Sequence, residues 1–83
     1  MANVASRLKF SKRARVQTTD LYRRRIWTAS DSRHRVSEFV SCLERRRVFY
    51  AERFEDTPTG GCWSVISRHR RKSRAFVACE RDY

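Results

Sequence analysis

Residues 62–79 read CWSVISRHRRKSRAFVAC. Two short apolar runs, Trp63–Ile66 and Ala75–Cys79, flank a break that holds Arg68, Arg70, Arg71, Lys72 and Arg74. Apolar runs separated by a polar break are the sequence form of a β-hairpin. The stretch therefore predicts two strands, over 62–67 and 74–80, with cations at the tip. A tip of that charge calls for an anionic partner.

Working outward, DTPTGG at 56–61 is a turn: Pro58 biases Thr57 to extended backbone, and Gly60–Gly61 allow positive φ. VFYAERFE at 48–55 reads as a further strand, with Val48, Tyr50 and Phe54 on one face and Phe49, Ala51 and Arg53 on the other. Upstream, Val36, Phe39, Val40 and Leu43 fall at i, i+3, i+4 and i+7. That spacing predicts an amphipathic helix over 31–46, capped by Asp31 or Ser32. Arg45, Arg46 and Arg47 would then close the helix and complement the negative end of its dipole. His34 or Arg35 would pair with Glu38 along one helix face. TTDLYRRRIWTA at 18–29 fits a short helix or a strand, and the short helix is taken. Residues 1–17 carry Arg7, Lys9, Lys12, Arg13 and Arg15 and no acid, which reads as a flexible basic arm. A transit peptide has the same composition.

The expected fold is α+β. One amphipathic helix, with a short helix before it, packs on a three-stranded antiparallel β-meander. Residues 18–83 form a single small domain behind the arm. One sheet face, carrying some of Phe49, Trp63 and Phe76, would be only partly covered, which suits a binding or homodimer surface.

With 83 residues the chain has room for one core. Five Phe, three Tyr and two Trp argue against disorder despite 35% charged residues. The net charge is +11, and 17 of the 20 cations are Arg. Guanidinium forms paired hydrogen bonds to phosphate or carboxylate and stacks on flat rings, which ammonium does not. Three cysteines at spacings of 20 and 17 make no disulfide framework and no zinc motif, which points to a reducing, intracellular compartment. No 18-residue apolar run and no apolar segment behind Met1 are present, so neither a membrane span nor a secretory signal is expected.

These features favour a nucleic-acid partner, DNA or RNA, bound through phosphates. The expected contacts are Arg68, Arg70, Arg71, Lys72 and Arg74, the triplets Arg23–Arg25 and Arg45–Arg47, and Arg13 and Arg15. Trp63 or Tyr50 would supply a stacking surface. Plainer explanations stand beside these: a solvated loop for the tip, a core position for Trp63, a helix end for the second triplet. An acidic protein surface is the alternative partner, as for a small accessory or viral inhibitor. A third reading is a small basic ribonuclease with His69 as base. No catalytic residue, metal or cofactor is assigned. Phosphate-binding glycine loops, nucleophile elbows and paired metal-ligand spacings are all missing from the sequence.

Overall fold

The computed structural model describes residues 8–18 and 22–83, and the side chains of 15–18 are left aside. The chain is α+β, with an antiparallel sheet and one helix. Its elements are β1 (Ala14–Thr18), β2 (Tyr22–Thr28), β3 (His34–Ser41), β4 (Arg46–Thr57), β5 (Gly60–His69) and α1 (Lys72–Asp82). The sheet is a five-stranded meander in the order β1-β2-β3-β4-β5, every pair antiparallel.

Three expectations are corrected. Residues 34–41 form a strand, where a helix over 31–46 was expected. A spacing of four keeps Val36 and Val40 on one side of a helix and equally on one side of a strand. Phe39 and Leu43 separate the two cases. Phe39 pairs with Arg24 and Val48 on the face opposite Val36, and Leu43 is 76% exposed in the turn after β3. Branched and short polar side chains (Val36, Ser37, Val40, Ser41) add to the extended preference. The expected pairs with Glu38 fall away accordingly: His34 bonds Asp31 and Asp82, and Arg35 bonds Glu52.

Tyr22–Thr28 is also a strand, where a short helix was expected. It is β-branched and aromatic at its end, and it finds a full partner in β3. Conversely, residues 72–82 form a helix where a strand over 74–80 was expected. Ala75 and Cys79 are again four apart, and Ala78 and Asp82 complete a helical stripe with them. Ala, Glu and Arg favour the helix intrinsically. The cationic stretch is thus a link from β5 into α1, and no hairpin tip forms there.

The two strands 48–55 and 62–67 are borne out, each extended at both ends. Their turn is also borne out. Thr57 pairs with Gly60 around a two-residue loop, and Gly60 takes φ 129°. Gly61 must lack a side chain because a Cβ there would lie 1.9 Å from the Phe54 ring.

α1 packs on β3, β4 and β5 and covers one face of the sheet. Under it lie Trp27, Ala29, Val36, Phe49 and Ala51, met by its own Ala75 and Cys79, with Leu8 closing one end. Each large side chain in this layer contributes roughly 1.5–3 kcal/mol by leaving water. Phe10 stacks on Phe76 at 4.2 Å, and Phe76 meets Trp27 edge-on at 5.9 Å. Phe49 and Phe76 thus belong to the covered side, and of the three residues expected on an open face only Trp63 is there. Residues 8–17, expected within the arm, are part of the domain: Leu8 is 2% exposed and β1 pairs with β2. The remainder of the expected arm, residues 1–7, lies outside the described residues.

Candidate polyanion-binding face

The face turned away from α1 carries the candidate site. Strand alternation and register fix its residues. Tyr22 pairs with Ser41, which pairs with Arg46. Two residues along, Arg24 pairs with Phe39, which pairs with Val48. The next row holds Ile26, Ser37, Tyr50 and Arg68. α1 lies on the other side of the sheet from these rows. From these rows, Tyr22, Phe39, Arg46, Tyr50 and Arg68 line a groove of about 1210 Å³.

Two aromatic clusters occupy the face. In one, Phe39 and Tyr50 meet edge to face at 5.4 Å, and the Arg24 guanidinium lies 5.1 Å above the Phe39 ring. In the other, Phe54 and Trp63 meet at 5.3 Å, with Arg35 stacked 4.3 Å from the Trp63 ring and Arg33 5.4 Å from Phe54. Arg35 is anchored in turn. Its Nε donates to Glu52 Oε1 at 2.6 Å, and the Ser37 hydroxyl donates to the same oxygen. Glu52 is therefore ion-paired where it sits, buried at the floor. Of the two expected stacking residues, Tyr50 borders the open groove and Trp63 has one side taken by Arg35.

The arginines divide by whether an acid holds them. Arg25 and Arg47 flank the buried Glu38, at 3.7 and 3.1 Å. A carboxylate only 2% exposed requires such partners, so these two cations have a structural task. Among the described residues, Arg23, Arg24, Arg45, Arg46, Arg68, Arg70, Arg71 and Arg74 form no ion pair. Arg46 and Arg68 line the groove, and Arg24 lies beside it over the Phe39 ring. The Arg24 Nε is buried and has no acceptor among the described residues. Arg45 sits in the β3–β4 turn with φ 53°, and Arg23 projects from β2. Arg70 and Arg71 form the β5–α1 link, with Arg71 at the N-cap and no side-chain cap present. Arg74 is exposed in the first turn of α1, and the Lys72 ammonium lies 5.5 Å from the Trp27 ring. Arg13 is exposed ahead of β1, and Arg15 pairs with Arg25 along the backbone.

Sequence reasoning missed Tyr22, Arg24's stacking on Phe39, and Phe39 itself. The available signal was the alternation of 34–41, where Arg35, Ser37 and Phe39 recur at every second position.

The histidines are placed differently from a nuclease pair. His34 is buried, with Nδ1 2.6 Å from Asp31 and Nε2 2.8 Å from Asp82, so both ring nitrogens are occupied inside the protein. Burial pushes the Asp31 carboxyl up, but the Arg33 amide and then His34 outweigh it and leave it below the ordinary aspartate value. Asp82 also accepts from Arg53 at 2.7 Å, and Arg53 bonds Glu55 at 3.0 Å. Hydrogen bonding from Arg53 holds Glu55 below its ordinary value. His69 Nε2 is 2.7 Å from the Ser67 hydroxyl, a nucleophile–base spacing, but no carboxylate bonds His69 among the described residues. No cluster of three metal-ligating side chains occurs among the described residues. Among them, too, no helix is long and apolar enough to cross a membrane.

No protein-family model, curated protein or solved structure matches the chain, so its functional reading rests on these residues alone.

Proposed function

We propose that this protein binds nucleic acid through the face of the sheet that α1 leaves uncovered. The observation that carries the reading is an aromatic groove lined by Arg46 and Arg68, with Arg24 lying over its Phe39 ring and no acid paired to any of the three among the described residues. Arginines that serve the fold are already engaged, as Arg25 and Arg47 are by Glu38. Those at the groove have no acid partner among the described residues. Phosphate is the chemistry that matches: a compact anion accepting paired guanidinium hydrogen bonds. The +11 charge adds long-range attraction, and binding gains from the counterions that phosphates release. Arg70 also lines the groove, and Arg71 and Arg74 extend the basic surface beyond it. The mechanism is non-covalent.

The test is a titration of labelled DNA and RNA from about 50 to 200 mM salt, where several phosphate contacts change affinity by orders of magnitude. Intact probe, tight binding at low salt and a steep salt slope are expected. Replacing Arg24, Arg46 and Arg68 together by Gln should lower the slope by about 0.7–0.9 for each phosphate no longer neutralised. Arg25 and Arg47 are left alone, since removing either leaves the buried Glu38 with one cation in place of two. Absence of binding at low salt by the folded protein overturns the reading and directs the search to an acidic protein partner.

A further inference from the structure

We infer that the groove takes single-stranded nucleic acid, with bases stacked on Tyr22, Phe39 and Tyr50 and phosphates held by Arg24, Arg46 and Arg68. This rests on the nucleic-acid reading above and adds the form of the ligand. The three rings lie on a diagonal of the sheet. Tyr22 on β2 pairs with Ser41. Phe39 stands two residues back from Ser41 on β3 and pairs with Val48. Tyr50 stands two residues on from Val48 on β4. Each step crosses one strand and two residues, and on the second step the Phe39 and Tyr50 ring centroids stand 5.4 Å apart. The diagonal ends beside Arg68, the partner of Tyr50 on β5.

Rings serve no purpose in holding phosphate. They match bases, and a duplex hides its base faces inside the stack while presenting phosphate outward. Only an unstacked strand can lay successive bases on a sheet. Side-chain polarity supports the same occupant. Tyr22 is 56% exposed and Phe39 and Tyr50 are half-buried, so the rings border the groove. Arg24 already stacks on Phe39, in the manner a base plane could extend. A second copy of the chain does not fit, because two such faces would set Arg24, Arg46 and Arg68 against their own copies. Two carboxylates also border the groove: Glu52 is ion-paired with Arg35 and accepts from the Ser37 hydroxyl, and Glu44 is exposed at the rim.

The experiment compares four probes of equal length at one salt concentration: oligo(dT), oligo(U), a DNA duplex, and an abasic deoxyribose-phosphate strand. Oligo(dT) or oligo(U) is expected to bind at least about tenfold tighter than the abasic strand. Tyr50→Leu and Phe39→Leu keep apolar bulk and lose the ring face. Each should weaken binding to the single strand by about 5- to 150-fold. Their binding to duplex should stay close to that of the wild type, and Tyr50→Phe should retain the wild-type affinity. Melting of each variant is followed alongside, and the abasic comparison needs no variant at all. Equal binding of abasic and base-bearing strands overturns the stacking platform while the phosphate reading stands. Failure of every probe to bind at low salt overturns both. Saturable binding to polyglutamate with none to nucleic acid also overturns both, and marks the face as an acidic-protein interface.

Discussion

His34 Nε2 and Asp82 Oδ2 meet at 2.8 Å across 48 residues of sequence, joining the start of β3 to the end of α1. The same ring bonds Asp31 in the preceding turn, and the Arg53 guanidinium closes the group from β4. The helix that covers the core is therefore fastened at its C-terminal end by charge as well as by Ala75 and Cys79.

Removing the centre of that group is expected to be costly. His34→Ala leaves two mostly buried carboxylates facing a void, and breaking such a buried arrangement costs about 3–5 kcal/mol. Small domains have about 5–15 kcal/mol in all, so the variant should unfold at a much lower urea concentration. A midpoint unchanged from the wild type would show that the group contributes nothing net.

Acid should loosen the same corner. The folded state holds the Asp31 carboxyl below its ordinary value, so the unfolded chain binds the proton first as pH falls. The stabilisation is present above about pH 4, the unfolded value, and is lost as pH drops through the folded one. Asp31→Asn should be less stable at pH 7 by about 1–3 kcal/mol, since its amide pairs less well with the Arg33 and His34 N–H groups. Its stability should also vary less between about pH 5 and pH 2. Urea melts at several pH values read both effects.

The cysteines should differ in reactivity. Cys42 and Cys62 are exposed, while Cys79 is buried and its thiol is pushed up to about 11, chiefly by desolvation. A thiol reagent at about pH 8 should titrate two groups quickly and the third only on unfolding. The sign for stability follows. The unfolded thiol ionises near about 8.5, so the folded state loses its advantage as pH rises from there toward 11.

Gly61→Ala should destabilise the β4–β5 hairpin. The added methyl would sit 1.9–2.8 Å from three Phe54 ring atoms, so the ring must swing off its contact with Trp63. Overpacking of this kind costs about 1–3 kcal/mol. Pairing it with Phe54→Leu should recover part of the loss in thermal melts.

How much of this was legible in the sequence depends on spacing. The hairpin through Pro58 and Gly60 was readable because turn chemistry is local. Strand 34–41 and helix 72–82 were misread for one reason: pairs four apart, Val36 with Val40 and Ala75 with Cys79, satisfy both periodicities. What decides each case is a distant partner. β3 has β2 and β4 on either side, whereas residues 72–82 follow an edge strand and fold back over its apolar face. The basic character of the site was visible from composition. The division between arginines that hold Glu38 and arginines left to the groove was not, because it depends on which strands are neighbours.

The unbroken order β1-β2-β3-β4-β5 also sets how the chain is built. Each strand joins the one just made, so the sheet can zip up during synthesis with short loop closures throughout. The helix comes after all of them. Until Lys72–Asp82 has emerged and docked, Trp27, Val36 and Phe49 have no lid, and a stalled nascent chain would carry a finished sheet with an adhesive underside. Ribosome pausing just ahead of Lys72 would thus be the moment at which this protein most needs a chaperone.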